Sequence, residues 1–301
     1  MRTTRDRRRT GPRRAAPAVL CAVLPALLLS ACDDGGEPKA TAQKPRQAAP
    51  KPAPRPAWNT RPASIASLGD SITRGFDACS VLSDCPEVSW ATGSEVDSLA
   101  RRLLPSPATG SWNLARTGAR MADLPDQMRT AVANRPQLVT ILLGANDACR
   151  KNVADMTPVD TFRADFETSM KELRQALPKT QVYVAAVPNL MRLWSEGRKD
   201  PVGKQVWKLG VCPSMLGDAD AVDTAAVERR ALVDKRVGEY NAVLKDVCAR
   251  DELCRYDGAV NDYAFTGREL SQWDWFHPSK LGQKELADMA YRTITSERPN
   301  A

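Results

Sequence analysis

Ile65-Ala66-Ser67-Leu68-Gly69-Asp70-Ser71-Ile72-Thr73 decides how this chain is read. Four uncharged residues predict a short buried strand, Gly69 permits a turn, and Asp70 with Ser71 opens the segment that follows. A serine at the carboxyl end of a parallel strand entering a helix has an exposed hydroxyl and a free backbone amide, which an active nucleophile requires. Gly-Asp-Ser is also an ordinary turn tripeptide, so by itself the run marks a turn.

Outward from Ser71, apolar runs alternate with amphipathic stretches, without internal repeat. Strands are expected at 65–68, 112–115, 138–143, 182–187 and 255–257, and helices at 120–133, 160–177, 223–250 and 279–294. Ser94-Glu95-Val96-Asp97 is read as the cap of a further helix with Val96, Leu99, Ala100 and Leu103 on one face. This alternation predicts an α/β fold: a three-layer α/β/α sandwich around a central parallel sheet, with right-handed crossovers. Residues 189–218 break it with Pro201, Pro213, Trp194 and Trp207. So long a connection is expected to wall a substrate site, pinned by Cys212; a decorative surface loop is the other reading.

Three further pieces carry chemistry. Gly144-Ala145-Asn146-Asp147 follows a strand, and an asparagine amide there can donate to a developing oxyanion, although an Asx turn closing a strand looks the same. Asn113-Leu114-Ala115-Arg116-Thr117-Gly118 ends in a glycine whose amide can approach a reacting carbonyl. Asp274-Trp275-Phe276-His277 holds the only histidine, and the three-residue spacing lets the carboxylate reach Nδ1. That contact would fix the tautomer and leave Nε2 to take a serine proton.

With these four blocks in order, the chain resembles the SGNH hydrolases, also called GDSL esterases and lipases, rather than the enzymes built on a Gly-x-Ser-x-Gly elbow. The blocks are Gly-Asp-Ser at 69–71, Gly118, Gly-x-Asn-Asp at 144–147 and Asp-x-x-His at 274–277. The resemblance implies a flavodoxin-like sheet and a serine ester hydrolase needing no metal or organic cofactor. It makes Ser71 the nucleophile, His277 the base and Asp274 its orienting group. The amides of Ser71 and Gly118 with the Asn146 side chain would form the oxyanion hole, and Asp147 would shape its turn. The cysteines and the Gly144 to Cys149 run look similar to a secreted actinobacterial branch containing lipases and phospholipase-like esterases.

The net charge of +7 is concentrated at the start, where residues 1–31 hold seven arginines against one aspartate. A folded part near neutrality excludes a nucleic-acid-binding face. The basic start and the apolar stretch 15–31 predict a signal peptide, too short and interrupted to span a membrane. Arg8-Arg9 and Arg13-Arg14 raise twin-arginine export as another route. Leu29-Ser30-Ala31-Cys32 resembles the lipobox of bacterial lipoproteins, which implies lipidation of Cys32; an ordinary signal peptide is the alternative. Residues 32–60 are expected to be a disordered Pro/Ala/Lys-rich tether and 61–301 the hydrolase domain. The protein is expected outside the cell, attached to the membrane through Cys32, as a monomer acting on a small-molecule or lipid ester.

Six cysteines remain for the exported domain: Cys79, Cys85, Cys149, Cys212, Cys248 and Cys254. Three disulfides are the natural reading. Fifteen pairings exist in principle, but Cys79 with Cys85 and Cys248 with Cys254 close short loops, which leaves Cys149 with Cys212. A zinc site is the competing idea, against which stand the spacing and the lack of a second histidine. The leading substrate is a lipid-like or small acyl ester, with Trp194, Trp207, Trp273 and Trp275 as an apolar wall unless they belong to the core. A carbohydrate acetylesterase and a binding lipoprotein without turnover are the rivals.

Overall fold

A computed structural model of the protein describes residues 57–297. The expected signal peptide 1–31, Cys32 and the tether up to residue 56 lie outside the described residues. Five strands, β1 Ile65–Gly69, β2 Ser111–Asn113, β3 Leu138–Leu142, β4 Gln181–Ala185 and β5 Cys254–Asp257, form one all-parallel sheet in the order β2-β1-β3-β4-β5. β1, β3 and β4 are buried at every position, the continuous burial expected of strands covered on both faces. Leu124–Asn134, Val159–Ala176 and Thr224–Ala249 pack side by side as one helical layer, while Lys280–Thr295 packs with Leu99–Leu103 and over β4 and β5. The chain therefore has the predicted three-layer α/β architecture.

Leaving β1, the chain moves to β2 on one side and later to β3 on the other. The crevice at such a reversal lies outside the carboxyl ends of the strands, where loops from several strands meet. Gly69 pairs with Leu142 across β1 and β3, so the turns after these two strands start level with each other.

Most elements fall where the alternation places them, with ends shifted by a residue or two. Three readings are corrected. The helix expected to be capped at 94–97 begins at Leu99, because Ser98 supplies the cap, accepting from the Arg101 amide at 3.4 Å. The helix expected from 120 starts as a 3₁₀ turn, Met121–Asp123, and becomes α-helical at Leu124, where Pro125 fits the first turn. The long connection 189–218 is three short helices: Leu190–Gly197, capped by Asn189; Pro201–Trp207, capped by Asp200; and Pro213–Leu216, the last two opened by prolines. The prolines taken as breakers are helix starters. Trp58, inside the segment read as tether, donates its indole N–H to the Ile294 carbonyl at 2.9 Å and lies 4.2 Å from the Arg255 guanidinium.

The three disulfides join Cys79 to Cys85, Cys149 to Cys212 and Cys248 to Cys254. With all six sulfurs paired, the zinc alternative loses its thiolates. No helix among the described residues is long and apolar enough to cross a membrane.

Candidate active site

Ser71 is the first residue of a one-turn helix, Ser71–Arg74, that starts directly after β1 and Asp70. Gly69 has φ +152°, and a Cβ there would lie 2.4 Å from the Leu142 carbonyl oxygen and 2.6 Å from Thr73 Oγ1, so only glycine fits between the strands and the turn. The turn is clamped from three sides. The Gln127 side chain accepts from the Gly69 amide at 2.8 Å and donates to its carbonyl at 2.9 Å. Gln283 donates to the Ile72 carbonyl at 2.8 Å, and Asn113 donates to the Thr73 carbonyl at 2.9 Å. Buried backbone groups beyond the end of a strand need partners, and these amides supply them.

His277 arrives from the loop between β5 and the closing helix Lys280–Thr295. Its Nε2 lies 2.8 Å from Ser71 Oγ. Its Nδ1 makes a very short hydrogen bond to Asp274 Oδ2, while Asp274 Oδ1 accepts the amides of Phe276 and His277, each at 3.0 Å. With Nδ1–H donating to the carboxylate, the Nε2 lone pair faces the Ser71 hydroxyl. Residues 71, 274 and 277, read separately from the sequence, form one continuous hydrogen-bonded chain.

The electrostatics follow from burial. Burial acts to raise Asp274, but the imidazole of His277 and the two amides outweigh it and hold the carboxyl below its usual range. Burial acts to lower His277, and the nearby carboxylates, Asp274 first and then Asp70 and Asp77, outweigh that and raise it. Asp70 is fully buried with Oδ2 unpartnered; burial pushes it up to about 7, against the Ile72 amide and His277.

The turn after β3 brings Asn146 to the same edge. Its Nδ2 donates to the Ala119 carbonyl at 3.0 Å, and because the amide carries two hydrogens, the second is available to another acceptor. Asp147 is buried; it accepts the Met121 amide at 2.9 Å and the Thr157 hydroxyl at 2.7 Å, so it ties this turn to the loop after β2. That loop carries Gly118, exposed, with φ +81° and open space where a side chain would stand.

The tryptophans divide. Trp207 is 2% exposed and donates its indole N–H to the Asp274 carbonyl at 2.7 Å, so it is core backing the base loop and not part of an exposed wall. Trp194 lies 4.2 Å from the Arg230 guanidinium and 4.5 Å from that of Arg198. Trp275, with φ +51°, packs against Gly203 and Gly267, and Trp273 is 38% exposed.

Sequence reasoning missed Gln127, Gln283, Thr157, Phe76 and Asp77. Gln127 stands on a helix face with Leu124, Met128 and Ala131, and Gln283 on one with Leu286, Ala287 and Ala290. A glutamine on an apolar stripe is the signal that was present.

A family model described as GDSL-like Lipase/Acylhydrolase family matches residues 67–285. No curated protein matches the chain. Among solved structures, Axe2, an acetylxylan esterase from Geobacillus stearothermophilus, is 19% identical with a TM-score of 0.50, covering 78% of this chain and 94% of that one. LAE5, an alpha/beta hydrolase from the metagenome of Lake Arreo, Spain, is 15% identical with a TM-score of 0.50, covering 79% and 96%. These likenesses show the shared fold. Because the match runs from the strand before Ser71 to beyond His277 and takes in every block that meets at the sheet edge, the chain belongs to the GDSL-like lipase/acylhydrolase family, as a serine ester hydrolase.

Proposed function

We propose that the protein hydrolyses lipid-like or small acyl esters by two-step acyl transfer, with Ser71 as nucleophile, His277 as base and Asp274 as its orienting group. The observation that carries this reading is the 2.8 Å contact between Ser71 Oγ and His277 Nε2, with Asp274 on the far side of the ring. Ser71 Oγ attacks the ester carbonyl as its proton passes to Nε2. The imidazolium returns that proton to the departing alcohol, and water, activated by the same base, releases the acid. The amides of Ser71 and Gly118 and the second hydrogen of Asn146 Nδ2 stabilise the oxyanion of each tetrahedral intermediate.

Support for an apolar acyl group comes from the rim. Leu82 is 79% exposed and Val81 52% exposed, on a loop whose Asp77 reaches His277, and the exposed Trp273 precedes Asp274. An acetyl ester on a polysaccharide is the second reading, since Trp273 can stack on a sugar and Axe2 is an acetylxylan esterase. Labelling Ser71 with a fluorophosphonate and comparing aryl esters of rising chain length with acetylated xylan tests both. Labelling with activity that extends to longer chains is expected. Activity confined to acetyl groups would sink the acyl-ester reading, and absence of an adduct would favour a binding protein.

The narrower placement in a secreted actinobacterial branch is supported by the three disulfides, which suit an oxidising compartment. We infer attachment to the membrane through a lipidated Cys32, motivated by Leu29-Ser30-Ala31-Cys32. Two acyl chains hold a protein on a bilayer, and the 25 residues 33–57, at roughly 3.1 Å each, would reach ~75 Å from it. Cys32→Ala should release the enzyme into the medium; unchanged retention in the membrane fraction would refute the anchor.

A further inference from the structure

Asp77 is 2% exposed, a buried carboxyl, and has no task in the reaction just described. It lies two residues before the loop that the Cys79–Cys85 disulfide closes, in the left-handed region with φ +56°. Its Oδ1 accepts the Leu82 amide, its N–H donates to the Ser83 carbonyl at 3.0 Å, and its carbonyl accepts the Ser271 hydroxyl at 2.6 Å. The same segment places the Phe76 ring 5.0 Å from the imidazole of His277. A carboxyl oxygen of Asp77, one of Asp274 and a ring nitrogen of His277 all lie within 4.8 Å of one another. Two carboxylates held so close out of water repel each other, and a positive imidazole beside them relieves the repulsion.

Resting on the acyl-transfer reading above, we propose that Asp77 is a positioning residue for the base: its carboxylate adds a second negative charge to that of Asp274 beside the imidazole. It thereby favours the imidazolium that forms when Ser71 gives up its proton. The other charged group facing His277 is Asp70, which is faced in turn by Asp147. Burial pushes Asp77 up to about 6, with Asp274 acting in the same direction and the Leu82 amide and His277 against it. The effect of Asp77 is therefore lost as the pH falls and its carboxylate takes up a proton. A carboxylate buried beside a like charge is the kind of costly feature that persists where function holds it.

His277 is the only histidine, so its imidazole resonances titrate without overlap in the full chain. Asp77→Asn keeps an acceptor for the Leu82 amide and removes the charge. The titration of His277 and the acid limb of kcat should both move to lower pH by about 0.5 unit or more, and kcat should fall about 3- to 10-fold with KM little changed. Titration and limb coinciding with those of the unsubstituted protein would overturn the role. Asp77→Ser, read the same way, serves if Asp77→Asn does not fold, and failure of both to fold would assign Asp77 to the scaffold instead. Fluorophosphonate labelling separates the two ideas. An unlabelled unsubstituted protein defeats the esterase reading, whereas labelling with unmoved titrations defeats only the role of Asp77.

Discussion

The turn that carries Ser71 and the loop that carries His277 meet at one point but are held there by different means. Ser71 follows the strand flanked by β2 and β3, and its turn is fixed through backbone groups: Gln127 on Gly69, Gln283 on Ile72 and Asn113 on Thr73. His277 stands outside the sheet, on a loop whose only bridge among the described residues pairs Leu270 with Pro278. That loop is tied to distant segments, the Trp207 indole donating to its Asp274 carbonyl and its own Ser271 hydroxyl donating to the Asp77 carbonyl. The first region is fixed through backbone groups beside the sheet; in the second, Leu270 and Phe276 are buried, and what the Asp274–His277 pair adds is expected to be chemistry more than stability.

The largest effect that would test this contrast is Asp274→Asn. An asparagine keeps the acceptor for the two amides but presents the wrong partner to Nδ1, so kcat should fall on the order of 10⁴-fold while thermal stability changes little. A large loss of stability would mean that the base loop is core after all. The opposite behaviour is expected from Gln127→Leu, which takes the side-chain acceptor from the Gly69 amide without adding a charge, while the Gly69 carbonyl keeps the Arg116 amide at 3.1 Å. One buried backbone N–H left without that partner costs about 1–3 kcal/mol, read in a denaturant melt, with a smaller loss of kcat/KM in whatever protein remains folded. Unchanged stability would show that the clamp is dispensable and the sheet alone sets Ser71.

The same contrast explains what could be read from the sequence. β1, β3 and β4 announce themselves as apolar runs, and local pattern places Gly69 and Ser71 at a strand-to-helix junction, while the other three blocks are needed to read Ser71 as a candidate nucleophile. Asp274 and His277 are legible because three residues separate them. Gln127, Gln283 and Asp77 lie 58, 211 and 200 positions from Gly69, Ile72 and His277 respectively, and only the folded chain brings them together. The segment 189–218 failed for a local reason: prolines mark both a break and a first helical turn, and here Pro201 and Pro213 are the latter.

Gly118 differs from Gly69 in a way that matters for anyone wishing to alter the enzyme. At Gly69 a methyl group would strike the neighbouring strand, whereas at Gly118 the space is empty and only the backbone angle selects glycine. Asparagine or aspartate visits that angle at modest cost. Position 118 is thus a place where a new side chain can be introduced without rebuilding the scaffold.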